Sequence, residues 1–209
     1  MIGTSMTRLQ KIAAVLAVFI ASASASVQPA NAELVLEEIR GRDQVFDLNI
    51  SLEEVIAAQQ GWCDALVAIS QEYQRGGHTA AKELAATVID SAYGFEFGPV
   101  AFKPTYAAGT TTFRTEREGA LAYFVGPDPD VPEFGPDQGF ATYRNRKSCE
   151  VINDVIQLVG DTANTMGFVK VTDVDGTQSA VEKTWTFWQP KPGTVRIILH
   201  HSSAPFDVR

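Results

Sequence analysis

The chain reads as an α+β domain, with helices first and antiparallel strands after. Three features of the sequence carry that reading. A capping box opens a helix at Ser51, apolar residues then recur at helical spacing as far as Gly94, and past Gly94 short apolar runs alternate with Gly- and Pro-rich turns. Elements in that order pack as helices on one face of a curved sheet.

The first segment lies outside this domain. Arg8 and Lys11 precede an apolar run from Ile12 to Ala21, and small residues lead to Ala30-Asn31-Ala32. A basic n-region, a short h-region and an A-x-A site make a cleavable Sec-type signal peptide over 1–32, with the mature chain starting at Glu33. An uncleaved anchor is the alternative, but the run is shorter than the roughly 20 apolar residues a spanning helix needs. Export to the periplasm or beyond the cell is therefore expected. Residues 33–50 form an N-terminal extension, and 51–209 are long enough for one domain with a real core.

Within the domain, Ser51 and Glu54 stand at capping-box spacing, and Trp62, Leu66, Ile69 and Tyr73 step by four, three and four. Gly76-Gly77 stops this helix. A second runs from about Thr79 to Gly94 with Leu84, Val88 and Ala92 spaced by four. The runs "GPVAFKPT", "TTFRT" and "GALAYFVG" then read as strands. "GPDPDVPEFGPDQG" holds four prolines and four acidic residues and reads as a solvated loop. From Cys149 come further strands, with Asp175-Gly176 and Pro192-Gly193 supplying turns.

Composition excludes several functions. The chain has 17 basic and 25 acidic residues. Losing Arg8 and Lys11 with the leader leaves 15 against 25, a formal charge of −10, which disfavours nucleic acid and anionic membranes. Cys63 and Cys149 lack CxxC spacing. In an oxidising compartment they can pair, although a buried free thiol is the commoner reading. A three-histidine zinc site would need His78, His200 and His201 together, yet the adjacent pair faces opposite ways on a strand. The acidic loop lacks the pattern of a calcium loop.

The final strand, "VRIILHHSS", ends an apolar run in two histidines and two serines. Strict alternation puts Val195, Ile197, Leu199, His201 and Ser203 on one face and Arg196, Ile198, His200 and Ser202 on the other, so the two histidines cannot both enter one pocket without a bulge. The first face turns from apolar to polar, as at a pocket mouth, so His201 and Ser203 are the candidates. By the same alternation Tyr123 shares a stripe with Leu121 and Val125. Taken alone, Tyr123 reads as a satisfied core tyrosine, Thr105 as a turn residue and His201 as a structural histidine at a strand end.

"GWCDALVAIS", "AYGFEFGPVAFKPT", "GALAYFVG", "DQGFA", "VEKTWTFW" and "VRIILHHSSAPF", in this order over about 52–206, together resemble the iota-class carbonic anhydrases. These are built on the calcium/calmodulin-dependent kinase II association domain of the nuclear transport factor 2-like superfamily. The resemblance implies a cone-shaped α+β domain whose sheet encloses a pocket, a homodimer paired through the sheet, and reversible hydration of carbon dioxide to bicarbonate. It places pocket residues at Thr105 of "FKPT", Tyr123 of "GALAYFVG", and His201 and Ser203 of "HHSS". Ala204 stands where the family usually has Leu, and Met166-Gly167-Phe168-Val169 replaces an "MGNV"-like segment. The family is described both without a metal and with zinc or manganese. No convincing ligand set appears in this sequence, so no cofactor is expected.

On that resemblance His201, or a hydrogen-bonded group it orients, would take a proton from a water held by Ser203, while Tyr123 and Thr105 donate to the carbonate oxygens. Two alternatives stand beside it. One is a non-catalytic association or small-ligand-binding module of the same fold. The other is a different pocket enzyme using a carboxylate, for which Asp64 and Glu182 are the nearest candidates.

Overall fold

The computed structural model describes residues 49–206. The signal-peptide reading (1–32) and nearly all of the extension lie outside them. The chain opens with helix α1, Leu52–Ala92, capped by Ser51 and Glu54 in the reciprocal arrangement their spacing predicts. Gly77 breaks it at φ 73°, a conformation that suits only a residue without a side chain, so α1 works as the two expected helices. Val55, Trp62, Cys63, Leu66 and Ile69 are buried in the first half. In the second half Ala81, Ala85 and Ile89 take the buried stripe, and Leu84, Val88 and Ala92 flank it.

Five strands follow: β1 (Ala101–Lys103), β2 (Arg146–Val159), β3 (Thr162–Asp173), β4 (Gln178–Lys191) and β5 (Thr194–Ser203). They form one sheet in the order β1-β5-β4-β3-β2. The pairs β2–β3, β3–β4 and β4–β5 are antiparallel, as expected, but β1 joins the edge of β5 in parallel. Helix α1 lies against the inner face of the sheet, and the core fills the space between. The α+β class therefore holds. Among the described residues no helix is long and apolar enough to cross a membrane.

Four expectations are corrected. "GALAYFVG" is a helix, α2 (Arg117–Val125), rather than a strand. Every residue from Gly119 to Val125 is buried, so neither periodicity shows in the sequence. On a helix Tyr123 no longer shares a stripe with Leu121 and Val125. "TTFRT" forms no strand and instead begins in a short 3₁₀ turn, Gly109–Thr111. The acidic loop is only partly solvated, because Asp128 and Asp137 are buried against Lys82 and Arg114. Cys63 and Cys149 are joined as a disulfide between α1 and β2, with Cα atoms 5.1 Å apart, so neither is a free thiol.

Of the four register shifts in the sheet, two bear on the site. At Asp154 the β2–β3 register shifts, and Gly167 faces the displaced strand. A Cβ there would collide with the Ile152 carbonyl and sit 2.9 Å from Asn153 Cα. The second bulge falls in β5: Phe187 pairs with Ile197 but Thr186 pairs with Leu199, so Ile198 is the extra residue. One inserted residue reverses the facing of everything after it.

Candidate active site

The bulge at Ile198 decides which histidine and which serine face inward. Ile197 is buried, and after the extra residue His200 and Ser202 take the inner face, 1% and 3% exposed. His201 and Ser203 are carried to the outer face. There they line a groove with Asp154, Met166, Phe168 and Glu182, and Ser203 Oγ donates to Glu182 Oε2 at 2.7 Å. The expected convergence of His201 and Ser203 with Tyr123 is therefore not found: the sheet lies between them. Alternation was the right rule, but an apolar Ile-Ile-Leu run hides where the phase slips.

Thr105 and Tyr123 do come together. Parallel pairing of Phe102 with His200 and Lys103 with His201 runs β1 alongside the end of β5. The chain leaves β1 through Pro104 and delivers Thr105 to Ser202, where Thr105 Oγ1 donates to Ser202 Oγ at 2.8 Å. Burial pushes the Tyr123 phenol well above the ordinary value, and hydrogen bonding with Thr105 and the Tyr106 backbone only partly opposes this. Tyr123 is therefore a neutral donor at physiological pH. Its ring stacks on Phe140 at 5.7 Å and meets Phe102 edge-on at 5.6 Å.

Tyr123 opens onto a cavity of about 410 Å³ whose wall also includes Tyr106, Asp137, Gln138, Phe140 and Tyr143. The cavity wall is held in place by backbone bonds from Phe140 N to Tyr123 O (2.8 Å) and Ala141 N to Phe124 O (2.9 Å). Gly139 must be glycine: its φ is +83°, and a Cβ would lie 2.7 Å from the Val125 carbonyl carbon.

Behind this hydroxyl cluster runs a buried polar chain that the sequence reading passed over. Trp62 Nε1 donates to Tyr93 Oη at 3.0 Å, Tyr93 Oη lies 2.7 Å from His200 Nδ1, and His200 Nε2 lies 2.6 Å from Lys183 Nζ. Burial, with Lys183 beside it and His201 next in the chain, holds the His200 imidazole well below its ordinary range. Burial alone draws Lys183 down to about 7. The signal for Lys183 was present: Val181, Lys183, Trp185 and Phe187 alternate on the buried face of β4, with a lone charge among apolar residues.

Among the described residues no group of three or more His, Cys, Asp or Glu side chains is arranged to hold a metal ion. Residues 53–204 match the family model for metal-independent carbonic anhydrase. A curated relative of that name from Nostoc sp. (strain PCC 7120 / SAG 25.82 / UTEX 2576) is 52% identical over 158 residues, 76% of this chain and 75% of its own length. An iota-carbonic anhydrase from a cyanobacterium, solved with bicarbonate, superposes with a TM-score of 0.76 at 48% identity, covering 80% of this chain and 99% of that one. A putative calcium/calmodulin-dependent protein kinase II association domain from Xanthomonas campestris superposes at 0.48, with 21% identity, over 78% of this chain and 94% of its own. The match across nearly the whole described domain and the identity to the Nostoc protein place this chain in the metal-independent carbonic anhydrase family.

Proposed function

We propose that this protein hydrates carbon dioxide reversibly to bicarbonate in the cavity at Tyr123, using neutral hydroxyls as donors. The observation that carries this reading is the Tyr123 phenol in the cavity wall, backed by the Thr105–Ser202 hydrogen bond, in a chain of this family. Water adds to the carbon of carbon dioxide while negative charge grows on an oxygen. A donor already aimed at that oxygen stabilises the transition state more than the uncharged gas. Tyr123 supplies that hydrogen bond from the cavity wall. The attacking water gives up its proton to water in the open cavity, so the products are bicarbonate and a solvated proton. Aromatic faces at Tyr106, Phe140 and Tyr143 suit a small apolar gas.

Stopped-flow hydration assays on purified variants test the assignment. Tyr123→Phe should lose roughly 10²–10³ in kcat, the usual effect of removing one such donor, and Ser202→Ala should lose activity in the same direction. His201→Ala and Ser203→Ala, on the outer face, should stay near wild type. A fully active Tyr123→Phe variant, or an inactive but folded His201→Ala variant, would overturn the choice of face.

Two further readings belong to this proposal. Export with removal of residues 1–32 is supported by the leader pattern and by the disulfide, which belongs to an oxidising compartment. A homodimer through the outer sheet face is supported by exposed Ile152, Val155, Met166 and Phe168, an apolar patch unusual on a monomer.

A further inference from the structure

The polar chain beneath the cavity determines where its protons sit, and that determines the charge of Lys183. An indole N–H can only donate, so Trp62 uses one acceptor site of the Tyr93 oxygen. Tyr93 is 1% exposed, and its own hydrogen has one further partner, His200 Nδ1, at 2.7 Å. The hydroxyl therefore donates to Nδ1, which must carry a lone pair. A neutral imidazole then bears its hydrogen on Nε2, and that hydrogen points at Lys183 Nζ, 2.6 Å away. An ammonium there would set two donors against each other. An amine accepts the bond.

The opposite arrangement, with Nδ1–H donating to Tyr93 and an ammonium donating to Nε2, leaves the buried Tyr93 hydrogen with no acceptor. It also buries a cation with no carboxylate partner among the described residues. In register, Lys183 is flanked by Gly167 of β3 and Ser202 of β5, while α1 places Trp62 over it and β4 adds Trp185. The titratable groups acting on the pair are Lys183 and His200 themselves, with His201 adjoining His200 and Tyr93 beyond it. The two indole faces, 4.9 and 5.4 Å from Nζ, attract a cation, but such attraction recovers only part of the dehydration cost of a buried unpaired ammonium. Burial favours the same uncharged form.

We propose that Lys183 is a positioning residue of the carbon dioxide site, working as an uncharged amine that accepts the His200 Nε2–H bond. This inference rests on the reading of the Tyr123 cavity as the site. His200 stacks on Phe102 at 4.4 Å, Phe102 abuts Tyr123, and Ser202 lies two residues on and pairs with the Lys183 backbone. Fixing the imidazole plane thereby fixes the floor under both Tyr123 and the Thr105–Ser202 pair.

Acceptor chemistry separates this role from simple packing or charge. Lys183→Gln keeps a neutral acceptor, Lys183→Arg keeps only charge and donors, and Lys183→Met keeps only bulk. In stopped-flow hydration the Gln variant should retain most of kcat, whereas the Arg and Met variants fall roughly tenfold or more with little change in KM. Nitrogen-15 NMR of imidazole-labelled wild-type protein at pH 8 should show His200 bare at Nδ1 and protonated at Nε2. That readout needs no activity and no variant that might misfold, so it stands or falls separately from the site assignment tested by Tyr123→Phe. A His200 protonated at Nδ1 would overturn the neutral amine, and an Arg variant as active as, or more active than, the Gln variant would overturn the positioning role.

Discussion

Replacing Lys183 by Met makes a stability measurement into a test of that lysine's charge. In the fold Lys183 titrates at about 7 rather than at its ordinary 10.5. At roughly 1.4 kcal/mol per pH unit, that gap costs the folded state on the order of 5 kcal/mol at and below neutral pH. Between pH 7 and 10.5 the unfolded chain holds a proton that the folded chain has released, so stability rises with pH through that window and the cost fades toward its upper end. The Met variant has nothing to titrate at this position. It does strand the His200 Nε2–H, which costs about 1–3 kcal/mol, so at pH 7 it should be more stable than wild type by about 2–4 kcal/mol. Toward pH 10 the advantage should vanish or reverse. Urea unfolding of both proteins at several pH values between 7 and 10 measures this, and taking the difference removes the titration of tyrosines and other lysines common to both. A difference that stays flat across the range refutes a neutral, buried Lys183.

Other predictions follow from the disulfide and the outer face. The Cys63–Cys149 link closes a loop spanning 86 positions, and the chain-entropy account then assigns it about 4–5 kcal/mol. A Cys63→Ala/Cys149→Ala variant should lose most of that in urea unfolding, and an unchanged midpoint would show that the link is not constraining the unfolded chain. Amino-terminal sequencing of the protein recovered from cells expressing the full chain should begin at Glu33, and an intact leader would remove the export reading. Met166→Lys should shift the sedimenting species from dimer to monomer at micromolar concentration, whereas a monomeric wild type would dispose of the sheet-to-sheet pairing.

What was legible in the sequence was what a local pattern can encode. The capping box at Ser51, the Gly77 break and the Gly176 and Gly193 turns each need only a few neighbouring residues, and each appears where it was read. Helix α2 was not legible, because burial on every side removes the polar face that distinguishes a period of 3.6 from a period of two. Its remaining cues were weaker: helix-favouring Arg, Glu, Ala and Leu, and Gly126 just past the end at φ 96°. The parallel edge strand was hidden for another reason. Three residues carry β1, and their partners lie nearly a hundred positions away.

The outward facing of His201 and Ser203 has one physical origin, a bulge that neither a resemblance nor a pleat rule contains. Both routes chose the second histidine and the second serine of "HHSS". They were not independent checks, because each assumed an unbroken strand. The bulge at Ile198 adds a single residue in a run where Ile, Ile and Leu are interchangeable to the eye, and it moves His200 and Ser202 onto the face of Thr105. Yet a marker of the correct phase lay on the partner strand. Trp185 pairs with His200 and Lys183 with Ser202, and the alternation of β4 carries no ambiguity: Val181, Lys183, Trp185 and Phe187 against Glu182, Thr184, Thr186 and Trp188. A strand with clear alternation can thus set the phase of an ambiguous neighbour once their register is known. The buried lysine that the site reading overlooked is the residue that would have corrected it.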